Sequence, residues 1–172
     1  YANKLDTDSN TIERQPKVAV CLVIKRSMNG EDKLVMQQRL KNPYYGYWGF
    51  PTGKVRWGES ILEAAERESL AETGLSCKWL NMGVYHERVS VGDHQEFTED
   101  KLFFLCLGEV LEGQLIEDFE GGHNEWLSLK EGFSTDRKHF PNDATVIKLL
   151  DRGNFNSNWL KEEIIKVKSE DF

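Results

Sequence analysis

An α/β/α sandwich built on a mixed central sheet is the fold class this sequence predicts, and three observations predict it. Two apolar runs, 18–24 and 102–107, have the length of strands and are far too short to span a bilayer, so they read as buried strands. Between them lies a stretch of helix formers without Pro or Gly, closed by Gly74. A second helical stretch, 143–152, follows the last apolar run. Strands on both sides of a central helix, with another helix near the end, imply a sheet covered on both faces.

In order along the chain, residues 1–16 are rich in Asn, Asp, Thr and Ser and carry no apolar periodicity, which predicts a flexible N-terminal arm. Residues 17–172 are expected to form a single domain, with a C-terminal helical extension from about 155. A first strand over 17–24 and a return strand over 33–38 flank a turn marked by Asn29-Gly30. An aromatic loop containing Tyr44, Tyr45, Tyr47, Trp48 and Phe50 then leads into the helix. Strands are expected over 77–89 and 101–110, separated by a polar loop, and a short one around Glu125-Trp126-Leu127. An amphipathic piece over 158–168 closes the chain, either on the domain's own core or against a second copy as a homodimer contact.

Composition narrows the function. A formal charge of −7 argues against a stable hold on nucleic acid, which needs a basic face to displace counterions. No run is long enough for a membrane span, and no charged-then-apolar leader stands at the start. Cys21, Cys77 and Cys106 lie far apart without Cys-x-x-Cys spacing, so core packing in a reducing compartment is expected, and with it a cytoplasmic location. His86, His94, His123 and His139 show no metal-binding spacing, and His123 alone draws notice because it sits near Glu120.

The chemistry concentrates between Gly53 and Leu75. Glu68 and Glu72 are four residues apart, so their carboxylates stand on one helix face a turn apart, an arrangement that wants a cation. Spacing alone favours a solvated acidic face. The order of residues adds more: Gly53, Glu59, Arg67, Glu68, Glu72, Gly74 and Leu75 stand at the intervals of G-x5-E-x7-R-E-U-x-E-E-x-G-U, where U is a bulky aliphatic residue. The stretch resembles the Nudix box, the motif of a family of hydrolases acting on nucleoside diphosphates linked to another moiety. Ser69 stands where an aliphatic residue belongs and Ala71 where the first glutamate of the Glu-Glu pair belongs.

The resemblance implies the Nudix-type α/β/α sandwich and a divalent cation, Mg²⁺ or Mn²⁺, between acidic side chains and a polyphosphate. It implies Glu68 and Glu72 as catalytic residues and, with the carbonyl of Thr52, as metal ligands. Glu68 is the candidate base. Gly53, Glu59, Arg67 and Gly74 are expected to be structural, Arg67 and Glu59 through an ion pair. The segment Glu120-Gly-Gly-His-Asn-Glu-Trp126 is similar to one in the MutT-like branch, which acts on nucleoside triphosphates, and makes Glu120 a third carboxylate on the metal. In that branch Arg39 corresponds to a phosphate-binding arginine, and Asn142 or Asp143 to a base-recognising group; either is equally a helix N-cap. Trp48 and Phe50 are candidates to stack on a base or to be core.

Ala71 removes one anionic ligand. Glu96 or Glu99 replacing it, an enzyme working with fewer metals, and a nucleotide-binding or regulatory module with impaired catalysis are the open consequences. Ser69 is expected to loosen the packing slightly, since a buried CH₂ is worth only about 0.8 kcal/mol. Hydrolysis of a nucleoside triphosphate is the first expectation, and an ADP-ribose or nucleotide-sugar pyrophosphatase the alternative.

Overall fold

The computed structural model describes residues 14–90, 97–140 and 143–151. The expectations for the arm over 1–13, the extension from 155, His94, Glu96 and Asn142 fall outside these residues. Strands β1 (Lys17–Met28) and β2 (Glu31–Arg39) form a hairpin through Asn29 and Gly30, both at positive φ, 53° and 76°. That pair of left-handed residues makes a two-residue turn whose twist matches the strands, so both strands run further into the turn than their apolar runs indicate.

Two short strands follow, β3 (Trp48–Gly49) against β2 and β4 (Thr52–Lys54) against β1. Helix α1 (Ile61–Thr73) starts at Ser60, whose hydroxyl accepts from Glu63 N–H while Glu63 returns a bond to Ser60 N–H. It ends at Gly74, left-handed at φ 73°, whose N–H bonds Leu70 O.

The long hairpin β5 (Leu75–Ser90) and β6 (Phe97–Gly113) extends beyond the apolar residues at both ends. Strands β7 (Asp118–Phe119) and β8 (Gly122–Leu127), the one-turn helix α2 (Leu129–Gly132) and helix α3 (Asp143–Asp151) complete the described elements. The sheet runs β5-β6-β1-β2-β8-β7. Strands β1 and β6 are parallel while the other pairs are antiparallel, which makes the sheet mixed.

Six consecutive buried residues in β1 place the strand at the centre. Val20, Leu22 and Ile24 pack with Ile61, Ala64 and Ala65 of α1, whereas Ala19, Cys21 and Val23 pack with Val146 of α3. The period-2 alternation of one strand therefore serves two covered faces, and the architecture is the α/β/α sandwich. All three cysteines are buried, and none is in a disulfide. Among the described residues no helix is long and apolar enough to cross a membrane.

Candidate active site

The α1 face of the sheet gathers the acidic residues of the helix. Gly53 lies opposite Val20, and a Cβ built on it would fall 2.2 Å from both Cγ and Cδ of Glu68. The glycine is thus required by close approach of a side chain, not by backbone conformation. Arg67 fixes the other side. Its Nη1 donates to Glu68 Oε1 at 2.5 Å, Nε and Nη2 donate to Glu59 at 2.6 and 2.9 Å, and Nη2 also reaches Lys54 O at 2.8 Å.

One guanidinium therefore joins the loop before the helix, β4 and Glu68. Arg67, assisted by Arg56 N–H, holds the Glu59 carboxyl down at about 2. Glu59 and Glu68 in turn hold the guanidinium above its ordinary range.

Glu72, a turn further on, reaches β2. Its Oε2 accepts from Gln37 Nε2 at 3.1 Å. Burial raises the Glu72 carboxyl above its ordinary range; the Gln37 N–H opposes the rise, the charge of Glu68 adds to it, and Arg39 opposes it. Leu22 N–H bonds Pro51 O and Val55 N–H bonds Val18 O. In the alternating antiparallel pattern this makes Cys21 and Thr52 a pair without mutual hydrogen bonds, so the Thr52 carbonyl is directed away from β1.

The donor set fits a hard divalent cation. All candidate ligands are oxygens, and one oxygen of each carboxylate accepts no hydrogen bond from the described residues. Glu68, Glu72 and the Thr52 carbonyl would hold it.

Glu120 does not join them. Its side chain is 95% exposed in the β7–β8 turn and pairs with Lys41 at 3.6 Å. Among the described residues no three His, Cys, Asp or Glu side chains gather as a metal-holding group, so the expected triad of carboxylates is not assembled. Ala71 is exposed beside Arg67 and Leu70, and Glu99, expected as a replacement, pairs with Lys101 at 2.7 Å on β6. Arg39 ends β2 with its Nε bonded to Pro43 O at 2.6 Å and Lys41 O at 3.1 Å, which ties down the aromatic loop.

Trp48 and Phe50, expected as substrate contacts, lie in the α3-side core at 8% and 7% exposure. Arg137 covers the Trp48 ring at 4.2 Å and Phe133 packs against Phe50 at 5.9 Å, so both rings are engaged in core packing. His123 also faces the α3 side, next to Trp48, with Nδ1 2.6 Å from Asp118 and Nε2 3.1 Å from Glu125. It is clamped away from the carboxylates of α1.

Asp143 is 6% exposed at the start of α3, and its Oδ2 accepts from Phe140 N–H at 3.1 Å. Burial, aided by Glu87, raises its carboxyl to about 7 against the bond from Phe140. The folded form therefore keeps its proton in a range where the unfolded chain has lost it. This group's contribution to stability declines as pH rises from about 4 to about 7 and is constant above that. Asn retains the acceptor for Phe140 without the charge. The melting temperature of Asp143→Asn minus that of the wild type is expected to be smallest near pH 4 and to grow until pH 7; a flat difference in thermal melts removes this account.

Ser69, expected to loosen the helix, is fully buried and does the reverse. Its hydroxyl donates to Leu75 O at 2.7 Å, while Thr73 Oγ1 donates to Ser69 O at 2.6 Å. The aliphatic contact is replaced by hydrogen bonds that fasten the helix end to β5. Glu66 does the same one turn earlier, accepting from Cys77 N–H at 3.1 Å, Trp79 Nε1 at 2.7 Å and the Ser76 hydroxyl.

The family model for the NUDIX domain matches residues 15–150. The chain belongs to the NUDIX family. It is 43% identical over 89 residues to Nudix hydrolase 6 of Arabidopsis thaliana, covering 50% of this chain and 30% of that protein. It is 35% identical over 83 residues to an ADP-ribose pyrophosphatase of Methanocaldococcus jannaschii, covering 48% of this chain and 47% of that one. The chain thus spans less than half the length of either curated relative.

A NUDIX hydrolase from Nitrosomonas europaea superposes with a TM-score of 0.70 at 24% identity, over 87% of this chain and 98% of that one, which shows the same fold. Outside the NUDIX box, sequence reasoning missed two side chains that bond Glu72: Gln37, which donates to its carboxylate, and Asn124, which donates to its backbone carbonyl and accepts from Gln37. The signal for Gln37 was present: it stands two residues beyond Val35, which packs on the α1 side, and so shares that face.

Proposed function

We propose that this NUDIX chain hydrolyses a diphosphate linkage in a nucleoside diphosphate derivative, with a nucleoside triphosphate as the first substrate. One observation carries the reading: Gly53 and Arg67 press the Glu68 carboxylate into a single place on the same helix face as Glu72. A divalent cation, Mg²⁺ or Mn²⁺, bound by Glu68, Glu72 and the Thr52 carbonyl would neutralise phosphate oxygens and make a bound water more acidic.

Arg67 occupies Glu68 Oε1, which leaves Oε2 either as a ligand to the cation or as the base that takes a proton from the attacking water. Arg39, at the end of β2, supplies positive charge for the phosphates beyond Glu72. Asn142 or Asp143 reads the base, and the exposed Tyr44 and Tyr45 offer ring faces to it.

The similarity to an ADP-ribose pyrophosphatase supports a second reading, the cleavage of ADP-ribose or a nucleotide sugar by the same carboxylates. Product analysis separates them. Incubation with nucleoside triphosphates, ADP-ribose and nucleotide sugars in Mg²⁺, followed by chromatography, is expected to give nucleoside monophosphate and pyrophosphate from a triphosphate. Release of nucleoside monophosphate and a sugar phosphate, with triphosphates untouched, favours the second reading. If nothing is cleaved, the chain is a binding module, the consequence that Ala71 left open.

A further inference from the structure

We infer that Gln37 is a positioning residue for Glu72, set in its orientation by Asn124, an inference that rests on Glu72 holding the cation. The carbonyls of Glu72 and Ile116 can only accept, so the fully buried Asn124 must turn its Nδ2 toward them, at 2.9 and 2.8 Å. Both N–H groups of that amide are then used. Its Oδ1 is left facing β2 and needs a donor, which Gln37 Nε2 provides at 3.1 Å.

Gln37 is thereby compelled to present its nitrogen, and the second N–H on that nitrogen points to Glu72 Oε2 at 3.1 Å. A flip of either amide would set oxygen against oxygen, so the chain of orientations is fixed from the backbone outward. Register supports it, because Gln37 and Asn124 are directly opposed on β2 and β8. Asn124 also satisfies Glu72 O in the last helical turn, where helix carbonyls lack an internal partner. The same pair therefore anchors the backbone of Glu72 and one oxygen of its carboxylate, and the other oxygen is offered to the cation in a fixed place.

Groups that orient a metal-binding side chain are worth about 10-fold to 100-fold in metal affinity. Mn²⁺ binding to the purified chain, followed by calorimetry without substrate, is the test. Gln37→Met keeps length and removes the donor, and Gln37→Thr is a shorter second variant suited to a strand should Met perturb folding. Gln38→Met, on the opposite face of the same strand, is the control.

The expected result is a Kd for Mn²⁺ raised about 10-fold in the Gln37 variants, which stay folded with a lowered melting temperature because the buried Asn124 Oδ1 loses its donor, and no change of Kd in the control. An unchanged Kd in a folded Gln37 variant overturns the inference and leaves the hydrolase reading intact. Wild-type protein that binds Mn²⁺ but cleaves nothing removes the hydrolase reading and leaves the inference intact. Wild-type protein that fails to bind Mn²⁺ removes the cation role of Glu72 and this inference with it.

Discussion

Gly53→Ala is expected to lower turnover about 100-fold while the fold persists, because displacing a reacting group by about 1 Å can cost that much. The backbone of Gly53 lies outside the left-handed region, so alanine meets no conformational strain there. The obstacle is Glu68, whose Cγ and Cδ occupy the space of the new methyl at 2.2 Å. The side chain must swing aside, and in doing so it leaves Arg67 Nη1 and the oxygens of Glu72. Overpacking of this kind costs about 1–3 kcal/mol, small against the loss in rate. Steady-state kinetics beside thermal melts check it. Turnover within about threefold of wild type would mean that the place of Glu68 does not matter, far below the penalty argued here.

Glu68→Gln is expected to lower turnover by about 10²–10⁴, the range for removing a general base. The amide keeps the size of the carboxylate and can still accept from Arg67 through its oxygen. What it loses is the ability to take a proton and to bind a cation firmly. Arg67 retains the bidentate contact with Glu59, so loop and helix stay joined and the melting temperature is expected to hold. Turnover that survives this change would move the base elsewhere in the site.

Much of the fold was legible because buried strands and a capped helix leave strong local signals. The Asn29-Gly30 turn and the Gly74 end of α1 each follow from residue chemistry in a window of a few positions, whereas the Ser60 cap emerged only from the structure. Strand lengths were less legible: β5 and β6 pair far beyond their apolar segments, since ladder hydrogen bonds ask nothing of side-chain polarity. The short strands β3, β4 and β7 leave too few residues for any period to register.

At the site, spacing named Glu68, Glu72 and their structural neighbours, but not which oxygens are taken. His123 drew notice through its nearness to Glu120 in the sequence, but on β8 it faces the α3 side while its neighbour Asn124 faces α1. The similarity to a MutT-like segment put Glu120 with the helix carboxylates, whereas the β7–β8 turn directs it to Lys41. Ser69 reads as a lost aliphatic contact until its hydrogen bond to Leu75 is seen.

In the proposed function the oxygens of Glu68 and Glu72 hold a divalent cation, and hydrolysis of a diphosphate depends on it. The most direct test is the Mg²⁺ dependence of phosphate-linkage cleavage by the wild type and by Glu72→Gln, measured on whichever member of the nucleotide panel the wild type cleaves. No turnover in chelator, saturable activation by Mg²⁺, and a half-activating Mg²⁺ concentration raised about 10-fold or more in the variant are expected. Cleavage that persists in chelator, or an identical Mg²⁺ response in Glu72→Gln, would contradict this role of the cation.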